Sequence, residues 1–482
     1  MIRFLLNNNE HSLSACSPHI TVLDYLREEL QHKGTKEGCA SGDCGACTVV
    51  LGEAVDGVMA YRAINACITP AASLHGKQLI TVEHLKQEQQ LHPVQQAMVD
   101  CHGSQCGFCT PGFVMSMFAY RKNHEAPQRD TIVEALGGNL CRCTGYRPII
   151  EAAVQMYEPG MADQFTARAG ETVQALDAIN SQAGDLAWSD EASGQAFYAP
   201  RSLDTLAALM LTHPQAKLVA GGTDLSLEFT QFLREFDVLI STTRVPELLE
   251  VTETESSIEI GAAVTYSRCA ELLARYYPDM RELLERLGSL QIRNQGTIGG
   301  NVGNASPIGD MPPVLIALGA RLVLRCGAQT RELPVQDFFV RYKVTAQQPS
   351  EFIERIIIPK PAAGYDFRVY KISKRLEDDI SATCGAFSLK IDAGQVVDAR
   401  IAFGGMAEIP RRATHCEAAL MGNPWQEQTI GNAMQALASD FQPISDFRAS
   451  ADYRLLVSQN FIKRLFLELQ PGAAPVRVTH YA

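Results

Sequence analysis

Between residues 20 and 30 the apolar positions Leu23, Leu26 and Leu30 recur at helical spacing, and a glycine-rich loop follows. Short strand-like runs at 48–51 and 78–82 then complete a small sheet carrying one helix. From about 92 to 156 the pattern turns helical. Thr110 is a candidate N-cap with Pro111 opening the helix, and Asp130 precedes Ile132, Val133 and Leu136 before Gly137 and Gly138 close a second one. Residues 159–195 are rich in Ala, Asp, Ser, Gly and Gln without a sustained apolar period, which predicts a surface linker. Beyond it, strands at 218–220, 238–240 and 258–260 alternate with helical stretches at 203–211 and 269–287. Near Asp366 a further unit begins, with paired strands at 386–391 and 396–403 before a largely helical C-terminal region.

This pattern predicts an α+β multidomain chain with boundaries at 1–86, 87–158, a linker at 159–195, 196–365 and 366–482. At 482 residues it is too long for one ordinary core. A net charge of −12 without a basic run argues against nucleic acid as a partner. No run approaches the ~20 apolar residues of a membrane span. The first ten residues lack the apolar core of a secretory signal, so a cytoplasmic location is expected. There, clustered thiols serve more often as metal ligands than as disulfides.

Eight of the fourteen cysteines form two sets. Cys39, Cys44, Cys47 and Cys67 read C-x4-C-x2-C with a distant fourth, the plant-type ferredoxin spacing for a [2Fe–2S] cluster. Gly38, Gly42 and Gly45 let that loop curl and turn backbone N–H groups toward the sulfurs. Cys106 and Cys109 precede one helix and Cys141 and Cys143 follow another, so packed helices can gather all four. By spacing alone this second set suits structural zinc as well as a cluster, and zinc stays open for the first set too. Cys16, Cys101, Cys269, Cys326, Cys384 and Cys416 are isolated and read as buried small apolar residues or surface thiols. Two glycine loops, Ala220-Gly221-Gly222-Thr223-Asp224 and Gly296-Thr297-Ile298-Gly299-Gly300-Asn301, could cradle a pyrophosphate, although neither is the fingerprint of a doubly wound dinucleotide fold.

Gly38-Cys39-Ala40-Ser41-Gly42-Asp43-Cys44-Gly45-Ala46-Cys47, Gln105-Cys106-Gly107-Phe108-Cys109-Thr110-Pro111-Gly112 and Asn139-Leu140-Cys141-Arg142-Cys143-Thr144-Gly145-Tyr146 together resemble the molybdenum hydroxylases of the xanthine dehydrogenase family. The resemblance continues through the glycine loops, residues 305–310, Lys371 and 377–380. It implies a β-grasp ferredoxin-like [2Fe–2S] domain, a helical [2Fe–2S] domain, a vanillyl-alcohol-oxidase-type FAD domain and a small α+β C-terminal domain. It also implies FAD contacts from Leu218, Val219, Ala220, Gly221, Gly222, Thr223, Asp224, Leu225, Ile260, Thr297, Ile298, Gly299, Gly300, Asn301, Asp310, Ile353 and Lys371. Ile260 departs from members with an aromatic residue there, and the acidic loop at 377–379 lies near the nicotinamide side of the flavin in relatives.

No molybdopterin-binding portion follows Ala482, so the resemblance implies that the hydroxylation site lies on a large partner subunit, as in bacterial members with separate chains. The expected function is passage of electrons from purine oxidation at that subunit's molybdenum cofactor, through two [2Fe–2S] clusters, to FAD and then NAD. No catalytic residue for hydroxylation is expected here, and relatives suggest a pair of heterodimers. The same role in an aldehyde or N-heterocycle hydroxylase is the alternative.

Overall fold

The computed structural model describes residues 1–13, 17–157, 163–182, 184–190, 193–473 and 476. Cys16 and parts of the expected linker lie outside the described residues. The chain forms two compact units, Met1–Pro246 with Gly288–Gly296, and Glu247–Leu287 with Thr297–Ala482. The stretch expected as the FAD domain is therefore shared between them.

The first unit opens with a five-stranded mixed sheet in the order Asn9–Leu13, Ile2–Leu6, Gln78–Ile80, Thr48–Val55, Val58–Asn65. Gln78–Ile80 runs parallel to Ile2–Leu6 and antiparallel to Thr48–Val55. Asp56 and Gly57, both at positive φ, close the hairpin that sets the register of its last two strands. The expected helix at 20–30 is one short turn, Val22–Asp24, continued by a π turn, Tyr25–Glu29. It buries Val22, Leu23 and Leu26, so the helical spacing marked the core face although the hydrogen-bond pattern widens midway.

Helices Pro93–Asp100, Thr110–Asn123, Arg129–Leu136 and Arg147–Gln155 follow, around a core that includes Phe113, Met117, Phe118, Ile132 and Ile149. Cys109 rather than Thr110 holds the N-cap position, and Pro111 falls in the first turn. The span read as a linker is not structureless. It contains the helix Ala169–Gln182, which sets Leu176 and Ile179 against Leu5, and the strand Leu186–Ser189. Two buried apolar side chains are too few to produce a visible period. A four-stranded sheet, Leu186–Ser189, Ala196–Ala199, Val238–Ser241, Lys217–Val219, completes the unit.

The second unit holds a five-stranded antiparallel sheet in the order Val251–Glu253, Ser257–Gly261, Phe352–Pro359, Arg321–Cys326, Gln329–Pro334. The helical stretch expected at 269–287 is two helices, Tyr266–Tyr276 and Met280–Glu285, because Pro278 cannot continue the first. The expected strand pair is an antiparallel ladder of Thr383–Asp392 with Gln395–Gly404, flanked by Tyr365–Ile372 and Arg411–Arg412. Helices Thr414–Leu420, Glu427–Asp440 and Ala451–Glu468 supply the rest of its core.

Candidate redox centres and flavin loops

The first thiol set gathers at one end of the mixed sheet. Cys39, Cys44 and Cys47 lie on the loop entering strand Thr48–Val55, and Cys67 lies on a short turn, Ala66–Ile68, leaving strand Val58–Asn65. The N–H groups of Ser41, Asp43 and Cys44 donate to the Cys39 sulfur at 3.4, 3.3 and 3.4 Å. Hydrogen bonds from the Cys44 and Cys67 thiols, reinforced by the Ser41 hydroxyl and N–H, pull the Cys39 thiol far below its usual range. Gly38 is needed because a Cβ there would come within 2.7 Å of the Cys44 sulfur. Gly42 and Gly45 hold positive φ angles of 77° and 67°.

The second set joins two helix ends. Cys109 caps Thr110–Asn123, while Cys141 and Cys143 follow the helix Arg129–Leu136. Cys143 lies 3.7 Å from Cys106 and 3.8 Å from Cys141, sulfur to sulfur. Cys109 meets Cys141, and burial pushes the Cys109 thiol up to about 12. In the first set Cys39 meets Cys44 and Cys67, and Cys67 also meets Cys47. Thiols this close, with backbone donors already aimed at sulfur, fit [2Fe–2S] clusters.

The two loops abut. The Leu140 N–H donates to the Cys44 carbonyl at 3.0 Å, which leaves one residue junction between a ligand of each set, since Cys141 follows Leu140. Asn139 Nδ2 donates to the Gly45 carbonyl at 3.0 Å. Gly45 and Gly112 carry no side chain because a Cβ would come within 2.2 Å of the Gly138 and Gly45 carbonyls, respectively. The sets differ in access: Cys106 is exposed and its neighbour Phe108 is 50% exposed, whereas Cys47 and Cys67 are each 2% exposed.

Leu218 and Val219 belong to strand Lys217–Val219, and Leu225 starts the helix Leu225–Thr230 after Ala220, Gly221, Gly222, Thr223 and Asp224. A Cβ on Gly221 would meet the Gln295 carbonyl at 1.9 Å. One on Gly222, at φ 74°, would lie 3.2 Å from the carbonyl of Ile68, the residue after Cys67. The first glycine loop thus rests directly on the first thiol loop within one unit.

In the second unit Thr297 caps the short helix Ile298–Gly303 by accepting from the Gly300 N–H at 2.9 Å. Gly299 lets that turn approach Ala262, whose carbonyl would lie 2.4 Å from a Cβ. The Asn301 Oδ1 is buried without a partner. Such an orphan acceptor beside side-chain-free backbone fits a polar cofactor. Lys371 Nζ pairs with Asp310 at 2.7 Å and donates to the Arg286 carbonyl at 3.0 Å, and Ser381 donates to the other Asp310 oxygen at 2.6 Å. Ile353 keeps 8% of its surface, but Ile260 is wholly enclosed in the apolar core and presents none. In the acidic turn, Asp379 accepts from the Arg375 N–H at 2.9 Å. Cys269, Cys384 and Cys416 are buried, while Cys101 and Cys326 are half-buried.

Sequence reasoning missed the fully buried Gln291, whose Nε2 donates to Thr48 Oγ1, Ser116 Oγ and Asn139 Oδ1 at 3.3, 3.2 and 3.1 Å. A glutamine amid polar neighbours carries no motif that could have flagged it.

Four family models match the chain in succession: a 2Fe-2S iron-sulfur cluster binding domain over 4–72, a [2Fe-2S] binding domain over 81–154, an FAD binding domain in molybdopterin dehydrogenase over 191–361, and a CO dehydrogenase flavoprotein C-terminal domain over 368–469. The xanthine dehydrogenase of Drosophila pseudoobscura pseudoobscura is 34% identical over 91% of this chain, and the xanthine dehydrogenase/oxidase of Gallus gallus 31% identical over 96%. The chain spans 37% and 40% of the length of those two relatives. Among solved structures, a carbon monoxide dehydrogenase from Hydrogenophaga pseudoflava superposes with a TM-score of 0.53 at 29% identity, covering 56% of this chain and 94% of that one. Quinoline 2-oxidoreductase from Pseudomonas putida 86 gives 0.52 at 28% identity, over 57% and 96%. With both thiol sets assembled and all four domain types matched in order, the chain is an iron–sulfur and FAD electron-transfer module of the molybdenum hydroxylase family.

Proposed function

We propose that this chain is the electron-transfer part of a xanthine dehydrogenase. Electrons from purine oxidation at a partner's molybdenum cofactor enter at Cys106, Cys109, Cys141 and Cys143, cross to Cys39, Cys44, Cys47 and Cys67, and leave at FAD for NAD. The hydrogen-bonded junction from Leu140 to Cys44 carries this reading, because it joins a thiol set with one exposed member, Cys106, to a set with none exposed that in turn touches a flavin loop. FAD, when bound, exchanges single electrons on one side and a hydride on the other.

The residues proposed to hold the flavin are those of the two glycine loops, with Asp310, Ile353 and Lys371. Their work is to present backbone N–H groups and neutral donors to a pyrophosphate and to keep a buried charge pair fixed. The enclosure of Ile260 limits its part to backbone and packing. A partner of the molybdopterin-binding kind is supported by the relatives' greater length, and the exposed Cys106 and Phe108 are the surface we assign to it. Likeness to a quinoline oxidoreductase favours a second reading in which the partner's substrate is another N-heterocycle.

Replacing Cys106 with Ser in the complete complex tests the order. Purine-to-NAD electron flow is expected to stop while NADH oxidation by an artificial acceptor persists. Equal loss of both in a folded variant would contradict it.

A further inference from the structure

An unbroken run of hydrogen bonds and close contacts leads from the loop of the first thiol set to the first glycine loop, and it passes through a residue that belongs to neither. Asn65 Nδ2 donates at 2.8 Å to the carbonyl of Gly42, which lies between Cys39 and Cys44. The Asn65 carbonyl accepts from Thr69 Oγ1 at 2.8 Å, and Thr69 Oγ1 in turn accepts from Gln295 Nε2 at 3.0 Å. Gln295 then sets its own carbonyl against Gly221, where a Cβ would come within 1.9 Å. Asn65 and Thr69 are wholly buried on either side of Cys67, so water does not compete for their bonds.

The Cys67 turn and the glycine loop also touch directly. A Cβ on Gly42 would lie 2.4 Å from Ile68 Cδ1, and one on Gly222 would lie 3.1 Å from Pro70 Cδ and 3.2 Å from the Ile68 carbonyl. Glycine presents no side chain to key such a contact, so packing alone leaves the turn free to slide on the loop. A hydrogen bond, being directional, does not. Both partners of the Thr69–Gln295 bond are themselves anchored: the Val22 N–H donates to the Thr69 carbonyl at 2.8 Å, and Asn294 Nδ2, next to Gln295, donates to the Ala63 carbonyl at 2.9 Å.

We propose that Gln295 is a positioning residue for electron passage between the Cys39/Cys44/Cys47/Cys67 cluster and the flavin: its bond to Thr69 clamps the Cys67 turn to the 220–224 loop and fixes their separation. The inference rests on the cluster, flavin and relay assignments above. Electron transfer weakens steeply as the gap between two centres widens, so a junction left loose by about 1 Å slows it without altering either centre's potential. In the direction that NADH drives, one hydride brings two electrons to the flavin, which passes them on singly. Each turns one ferric iron ferrous, one in each cluster, and the proton is left to solvent.

The test is rapid-freeze EPR of the full, cofactor-loaded chain mixed with NADH, run on the unsubstituted chain, Gln295→Met, Thr69→Val and the double variant. The flavin-to-iron ratio and the equilibrium midpoint potentials of the flavin and both clusters are measured on each. Both single variants are expected to reduce the first cluster several-fold more slowly while flavin reduction, flavin content and all potentials stay in place. The double variant should be no slower than the slower single, because the same bond is lost in each. An unchanged rate in both singles overturns the inference, as do slowings that multiply in the double variant or a change of potential that accounts for the slowing. If one single variant loses its flavin the other decides, and loss from both overturns the inference by making the clamp part of the flavin site. Flavin reduction with no first-cluster reduction in the unsubstituted chain would overturn the relay reading, and the inference with it.

Discussion

Lys371 and Asp310 form an ion pair whose side chains are 2% and 7% exposed, held by Ser381 and the Arg286 carbonyl. Asp310→Asn would leave a buried ammonium without its counter-charge, at a cost of about 3–5 kcal/mol. We expect a lower melting temperature and a reduced flavin-to-iron ratio, with iron itself unchanged, read by absorbance and iron assay. His75 sets a second prediction. Its Nδ1 accepts from the Arg3 N–H at 3.1 Å, and burial, reinforced by Arg244, the N-terminus and other cations, lowers its pKa to about 4. Between the ordinary value near 6.5 and 4 the unfolded chain binds the extra proton, so stability is present above that window and is lost as pH falls through it, by up to about 3 kcal/mol. His75→Gln should flatten the dependence of melting temperature on pH between 6.5 and 4. The grouping of the thiols into two sets was legible because their spacing is written along one stretch of chain. Gln291 was not, since its hydrogen bonds arise only when residues 48, 116, 139 and 291 meet.

The first glycine loop shows what an element can and cannot disclose. Its residues were readable as a turn, but the reason for Gly221 is the carbonyl of Gln295, far along the chain, which would lie 1.9 Å from a Cβ at that position. Gly221→Ala is therefore expected to displace the loop at a cost of about 1–3 kcal/mol and to deplete flavin while both clusters remain, measured as the flavin-to-iron ratio. Periodicity found the helix Leu203–Thr212 and the strand pair around 383–404, whose apolar faces are long. It missed Ala169–Gln182, which buries two apolar residues on an otherwise polar surface, and it overran Pro278, where the backbone stops one helix before the pattern does.

Across the whole molecule, the sequence order of the thiol sets is the reverse of their proposed order in electron flow. Nothing in residue spacing requires this. It follows from access and adjacency: the later set opens to the surface at Cys106, and the earlier one lies between it and the 220–224 loop within the same unit. Composition located the chain among proteins without a basic face, and among the described residues no helix is long and apolar enough to cross a membrane. Substrate choice was not legible, because this chain spans only 37% and 40% of the two xanthine dehydrogenase relatives, and the solved structures it resembles carry other substrates in their names.

Rapid-freeze EPR of the full, cofactor-loaded chain mixed with NADH reads the order directly. The account predicts that the Cys39/Cys44/Cys47/Cys67 cluster is reduced before the Cys106/Cys109/Cys141/Cys143 cluster, and that loss of the first cluster by Cys67→Ser leaves the second oxidised while flavin is still reduced. Reduction of the second cluster first, or its unimpeded reduction in Cys67→Ser, would contradict the relay.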